Sequence, residues 1–213
     1  AHIHECAMSP RPPSRRYNDG GRPVPERSPA VKVLNVEATP NPHALKFVVD
    51  GRVTEGGSRS FETLDAAAAH PLARALFDLG AVRTVFFMPT FVTVSKDPDT
   101  DWSSLQPRIE ETLAGGTEAE APASSRPVST ATALTDTDRE LLPRIEEVFE
   151  TRVRPALAGD GGGLDIVSLE NYTLTIRYQG ACGSCPSSIS GTLRAIEHMI
   201  RVDVDPGLTV VSV

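Results

Sequence analysis

A stretch that cannot join a hydrophobic core separates the 213-residue chain into two parts. Residues 114–135 read AGGTEAEAPASSRPVSTATALT, and their only large aliphatic side chains are Val128 and Leu134. Small and polar residues of this kind form solvated linkers. Because neither flanking part repeats the other, we expect two small α+β domains joined by a flexible linker, at residues 31–113 and 136–213.

Residues 1–30 form a separate segment that is rich in Pro and Arg and has hardly any large aliphatic side chains. Such a segment cannot bury enough apolar surface to offset its conformational entropy, so we expect a disordered tail. It lacks the apolar stretch of a secretory signal, and the pairs Pro12-Pro13 and Gly20-Gly21 disfavour the amphipathic helix of an organelle transit peptide. We therefore expect a bacterial cytoplasmic protein, with the mitochondrial matrix as the alternative.

Hydropathy and charge argue against two classes of partner. The sequence contains no stretch of 18 consecutive apolar residues, so it predicts no membrane span. Its net charge of −7 disfavours nucleic acid as a main partner, because phosphate recognition requires clustered Lys and Arg. The three cysteines can form at most one disulfide, which excludes a disulfide framework and indicates a reducing compartment.

The first domain has the pattern of a small α+β sandwich. Its runs of β-branched and aromatic side chains predict strands at residues 31–37, 45–49, 82–87 and 91–95. Helices are predicted from Pro71 to Leu79 and after a cap at Asp101. The sequence of this domain shows no cysteine and no arrangement typical of a catalytic triad or of paired carboxylates. We place His43 in a turn and His70 at a helix start, with structural roles.

The second domain is predicted to open with an amphipathic helix that Thr135 or Asp136 caps and that Pro155 ends or bends. Strands are predicted at residues 164–169, 173–178 and 208–213, of which the first two form a hairpin. The glycine-rich residues 159–163 precede a strand rather than a helix and lack a Gly-Lys-Ser/Thr ending. They are therefore interpreted as a turn and not as a phosphate-binding loop.

A single Cys-x-x-Cys motif is the strongest chemical signal in the chain. Cys182 and Cys185 lie in the segment GACGSCP, between the second strand of the hairpin and a helix that is predicted to begin at Pro186. Cys185 is thereby placed at a helix N-terminus, where backbone N–H groups and the helix dipole favour a thiolate. The neighbouring Gly and Ala residues have almost no side-chain bulk, which leaves room for a large group beside the sulfurs.

Three kinds of function fit this motif. A dithiol–disulfide oxidoreductase is the first, although no Trp precedes Cys182 and the 78 residues of the domain are few for the βαβ framework of such enzymes. A zinc-bridged adaptor is the second, but a structural zinc takes four ligands, and His198 lies about three helical turns from Cys185. An iron–sulfur cluster is the third. It takes four thiolates, so two protomers would share one cluster across a two-fold axis.

The chain resembles the Nfu family, whose C-terminal module is a NifU-like cluster-binding domain. The likeness in the second domain rests on Arg154-Pro155, Asp160-Gly161-Gly162, Gln179-Gly180-Ala181 and the cysteine segment through Ser188. In the first domain, Thr39-Pro40-Asn41-Pro42 and Leu45-Lys46-Phe47 are similar to the start of the Nfu N-terminal domain. Gly163 departs from the family, which usually has a second Asp at this position.

This resemblance implies a carrier rather than an enzyme. The carrier would receive a nascent cluster, [4Fe–4S] in preference to [2Fe–2S], from an upstream scaffold and hand it to apo-proteins. It implies that Cys182 and Cys185 are the cluster ligands and that the loaded protein is a homodimer. The first domain would be a docking module that the linker allows to reach clients. The residues alone do not separate the two cluster types, since both take four thiolates, and the dithiol oxidoreductase stays open as the alternative.

Overall fold

The structure is a computed structural model that describes residues 31–54, 57–115, 135–184 and 186–213. The tail predicted at residues 1–30 lies outside the described residues, as do residues 116–134 of the predicted linker and Cys185. The described residues form two α+β domains, which confirms the predicted fold class. No helix in the described part of the chain is long and apolar enough to cross a membrane.

The first domain is a five-stranded sheet with two helices on one face. The strands are β1 (Val33–Ala38), β2 (Ala44–Val49), β3 (Arg59–Phe61), β4 (Val82–Met88) and β5 (Phe91–Lys96). The helices are α1 (Pro71–Phe77) and α2 (Trp102–Gly115). The strands lie in the order β1-β2-β5-β4-β3, and each neighbouring pair is antiparallel.

The four strands predicted for this domain are confirmed, with ends that differ by one or two residues. The sequence does not predict β3, because three residues are too few to show an alternating pattern. The first helix begins at Pro71, as predicted, and ends at Phe77, because the chain turns at Gly80 with a φ of 82°. The second helix continues to Gly115, two residues into the predicted linker.

The second domain combines three strands with three helices. They are α3 (Asp136–Val148), α4 (Arg154–Gly159), β6 (Gly162–Glu170), β7 (Thr173–Gly180), α5 (Pro186–Asp203) and β8 (Thr209–Ser212). A π-helical turn at Phe149–Val153 joins α3 to α4, and a 3-10 turn at Ala181–Ser184 follows β7. The central strand β7 is antiparallel to β6 and parallel to β8.

Local sequence explains how these elements begin and end. Thr135 caps α3: its side chain accepts from the Asp138 N–H at 3.1 Å, and the Asp138 carboxylate accepts from the Thr135 N–H at 3.3 Å. The predicted hairpin is confirmed, with Asn171 and Tyr172 at φ values of 49° and 63° in its turn. The predicted bend at Pro155 is the π-helical turn just before it, since proline has no N–H to donate.

Each domain has its own hydrophobic core. In the first, side chains from the inner face of the sheet pack under α1 and α2, among them Phe47, Leu76, Phe87, Leu105 and Ile109. In the second, the predicted apolar stripe that begins in α3 packs with α5 against the sheet, through residues such as Ile145, Phe149, Ile176, Ile196 and Ile200. The periodic apolar residues of each domain are therefore buried within that same domain.

The two domains also pack against each other, through the outer face of the first sheet. The surface that meets this face includes Gly161, Gly163 and Gly180, which we call the glycine edge. Phe86 of β4 is fully buried and lies against Gly163 and Gly180. The sequence does not predict this contact between the domains. Linker composition predicts mobility, but it carries no information about the surfaces that the linker connects.

Candidate functional site

Cys182 lies in the turn between β7 and α5, where the sequence places it. Gly180 has a φ of 64°, which takes the chain out of the strand, and the Ala181 N–H donates to the Gly161 carbonyl at 3.2 Å. A Cβ atom at Gly162 would lie 2.5 Å from Cys182 Sγ, so a larger residue there would collide with the sulfur. The glycines around the motif thus allow the thiol to pack closely on the start of β6.

Burial raises the pKa of the Cys182 thiol to about 11, and the negative charge of Asp160 acts in the same direction. In this conformation the group is therefore a protonated thiol at neutral pH. The thiolate expected from the helix dipole at Cys185 stays a prediction, since Cys185 lies outside the described residues.

Cys182 borders a crevice of about 280 Å³ to which both domains contribute. Pro40 and Asn41 line it from the first domain, and Ala181 and Thr192 line it from the second. The side-chain amide of Asn41 donates to the Ala181 carbonyl at 3.4 Å, directly beside the cysteine. Among the described residues, no group of three or more His, Cys, Asp or Glu side chains is arranged to hold a metal ion. Within the described part of one chain, Cys182 is therefore not surrounded by a complete set of metal ligands.

A larger cleft, of about 720 Å³, also lies between the domains. On its second-domain side, Gln179 donates to the Asp165 carboxylate and accepts from Ser58 of the first domain at 3.2 Å. Burial raises the pKa of Asp165, while the positive charges of Arg154 and Arg177 oppose the shift. The sequence gives no sign of this cleft, because its walls come from two domains and no local pattern connects them.

The two histidines of the first domain have the positions that the sequence predicts. His43 lies in the turn before β2, and His70 is the N-cap of α1, where its Nδ1 accepts from the Ala73 N–H at 3.2 Å. The His70 ring stacks on Phe87 at a centroid distance of 4.9 Å. Burial, together with the nearby charge of Arg59, lowers the pKa of His70 to about 4. These contacts give His70 a structural role at the edge of the core.

Comparison with protein families matches both domains. Residues 34–119 match the family described as "Scaffold protein Nfu/NifU N terminal". Residues 145–211 match the family described as "NifU-like domain". The second match contains Cys182 and Cys185, and the first contains the Pro40 and Asn41 loop that borders the same crevice.

Similar proteins carry names of the same kind. The human "NFU1 iron-sulfur cluster scaffold homolog, mitochondrial" is 35% identical over 79% of this chain and 66% of its own length. The Arabidopsis thaliana "NifU-like protein 4, mitochondrial" is 34% identical over 78% of this chain and 61% of its own length. A solution structure of a NifU-like protein from Saccharomyces cerevisiae is 20% identical with a TM-score of 0.36, covering 47% of this chain and 90% of that one.

The chain spans roughly three fifths to two thirds of the length of the curated relatives it matches. The two domain families occur in the order that the sequence predicts, and they join at the segment with few large aliphatic residues. The chain belongs to the Nfu family.

Proposed function

We propose that this protein is an iron–sulfur cluster carrier whose two cysteines, Cys182 and Cys185, bind one cluster together with the same pair from a second protomer. The observation that carries the proposal is a single Cys-x-x-Cys turn, framed by glycines, in a chain whose relatives are named as cluster scaffolds. One such turn supplies two thiolates, whereas a cluster takes four. A homodimer completes the set with no other ligand type.

Binding of iron at Cys182 is coupled to the loss of a proton. The thiol has a pKa of about 11 in the described conformation, so a proton must leave when the sulfur binds iron. The neighbouring Asp160 carboxylate makes the thiolate less favourable before loading. Loading is therefore coupled to the release of a proton and depends on pH.

The cargo, the partners and the compartment belong to the same proposal. We expect [4Fe–4S] in preference to [2Fe–2S], an upstream scaffold as donor, and apo iron–sulfur proteins as recipients. We keep the bacterial cytoplasm and the mitochondrial matrix as the two candidate compartments. The mitochondrial names of the human and Arabidopsis relatives support the second.

The test is anaerobic reconstitution of the full chain, followed by iron and acid-labile sulfide analysis and gel filtration. We expect about four iron and four sulfide per dimer, with dimerisation that follows loading. Cys182→Ala and Cys185→Ala should each abolish binding, and Cys6→Ala, the matched control, should not. Retention of iron and sulfide by either of the first two variants would contradict the proposal. Transfer to an apo-client is then measured on the loaded wild-type protein.

The dithiol–disulfide oxidoreductase is less well supported by the site. An attacking cysteine in such enzymes has a lowered pKa, whereas the pKa of Cys182 is raised. An insulin-reduction assay separates the two functions: turnover that requires both cysteines would favour the oxidoreductase, and no activity would remove it.

A further inference from the structure

The contact between Phe86 and the glycine edge determines where the first domain lies. We propose that this contact is an autoinhibitory latch: while it is closed, the first domain occupies the approach to Cys182 that a second protomer needs. Cluster sharing then requires the first domain to undock. The inference rests on the proposed function, because it concerns the access of the second protomer to the cluster site.

The first step of the argument is that Phe86 belongs to neither hydrophobic core. Its neighbours in β4, Val85 and Phe87, point into the core under the helices of the first domain. Side chains alternate along a strand, so Phe86 points to the opposite face. It is nevertheless 0% exposed, and a Cβ atom added at Gly163 or at Gly180 would lie 2.8 Å from its ring. The ring lies 6.2 Å from the Phe91 ring of its own sheet, and the second domain completes its burial.

The second step concerns Gly163, the residue of β6 that faces Phe86. Gly163 does not have a positive φ, so its backbone conformation is open to any residue. The space around Gly163 is restricted, however, because an added Cβ atom would lie 2.8 Å from Phe86 Cζ. Any side chain at this position would collide with the ring as it is placed here. Glycine at residue 163 is thus explained by the docking of the first domain.

The third step is that the docked face also carries polar groups that docking leaves unpaired. Thr84, Thr93 and Ser95 share the outer face of the sheet with Phe86, and their buried hydroxyls have no hydrogen-bond partner among the described residues. Of these three, Thr93 lies against the second domain, with its Oγ1 3.1 Å from a Cβ atom that would be added at Gly161. Water would reach this hydroxyl if the domains separated, so burying it costs free energy that opposes docking.

The fourth step places the latch beside the cluster site. Pro40 and Asn41 border the crevice of Cys182, and Asn41 donates to the carbonyl of the adjacent Ala181. A shared cluster requires two cysteine turns to face one metal core without protein between them. The nineteen residues 116–134, which separate the described parts, span up to about 65 Å when extended. This length allows the first domain to leave the crevice while it stays attached.

Gly163→Ala tests the latch in the full chain, because it adds only the one atom that meets Phe86. The matched control is Gly159→Ala, since a Cβ atom at this neighbouring glycine meets nothing within 4 Å. Two measurements are made: the radius of gyration of the apo-protein by small-angle X-ray scattering, and the protein concentration at which the reconstituted protein is half dimeric. Gly163→Ala should enlarge the apo-protein and lower the half-dimer concentration about tenfold. Gly159→Ala should match the wild type in both.

Phe86→Ala is the second variant, and it removes the same contact from the other domain. It should reproduce both effects of Gly163→Ala, and circular dichroism confirms that each variant is folded. An unchanged radius of gyration in both variants would overturn the latch. An enlarged apo-protein with an unchanged half-dimer concentration would overturn the autoinhibition. If the wild type itself binds no cluster, the proposed function fails, and the scattering of the apo-protein still decides whether Phe86 holds the domains together.

Discussion

The centre of the first sheet, around β5, is covered on both faces, but by two different kinds of partner. Phe87 points to the inner face and packs under helices of its own domain. Phe86, the preceding residue, points to the outer face and packs on glycines of another domain. The inner face is lined by aliphatic and aromatic side chains, whereas the outer face also carries Lys46 and Thr93. Complete burial of a side chain therefore does not show that it belongs to the folding core.

The largest expected effect separates these two adjacent phenylalanines. Phe87→Ala should lower the free energy of unfolding of the first domain by about 3–5 kcal/mol, because it opens a cavity in a close-packed core. Phe86→Ala should lower the same quantity by only about 1–2 kcal/mol, the contribution of the interdomain contact, since the ring lies outside this core. Urea unfolding followed by fluorescence of Trp102, the single Trp of the chain, reports on the first domain. Equal losses in the two variants would remove the distinction between the faces.

The pH dependence of the free energy of unfolding tests the packing of His70 against Phe87 on the inner face. The pKa of His70 is lowered to about 4, so protonation favours the unfolded state, where the pKa is near 6.5. The stability that this group contributes is complete above pH 6.5 and is lost as the pH falls from 6.5 to about 4. For a partly exposed ring we expect a loss of about 2 kcal/mol.

His70→Asn is the matched control for this prediction. Asparagine is a good N-cap and does not titrate, so α1 keeps its cap while the ionisable group is removed. Urea unfolding at pH 7.0, 5.5 and 4.5, again followed by Trp102, should show a smaller decrease in the variant than in the wild type. The same decrease in both proteins would assign the pH dependence to other groups.

The smallest effect compares two glycines of the second domain. Gly191 lies inside α5 and an added Cβ atom would meet nothing within 4 Å, so Gly191→Ala should stabilise the monomer by about 1 kcal/mol. Gly180→Ala should destabilise it, because φ is positive and the Cβ atom would lie 2.7 Å from the Gly161 carbonyl oxygen. Calorimetry of the apo-protein measures both changes. A destabilised Gly191→Ala monomer would contradict the open surroundings of this residue.

Sequence patterns predict the structural features that are determined by residues close together in the chain. Thr135 and Asp138 form a capping box three residues apart, and the turn at Asn171 follows from the hairpin that surrounds it. The position of Cys182 on a strand-to-helix turn follows in the same way. Each of these features depends on residues that are neighbours in the chain, so spacing and residue type are sufficient.

The contact between the domains and the pKa of Cys182 depend on residues that are far apart in the sequence, so residue spacing does not predict them. The run Val85-Phe86-Phe87 indicates a strand buried on both faces, but it does not say what covers the second face. Its partner Gly163 stands 77 positions away, in a domain that folds around a separate core. The raised pKa of Cys182 is hidden for the same reason, since burial is a property of the assembled molecule.

Glycine at position 163 also has a consequence for how the sequence of such a chain can evolve. Every glycine codon lies one base away from an alanine codon, so a single mutation can place a methyl group against Phe86. That mutation alters how the two domains meet without touching either cysteine or the core of either domain. The coupling between the domains can therefore be lost or regained in one step, independently of the chemistry that the cysteines perform.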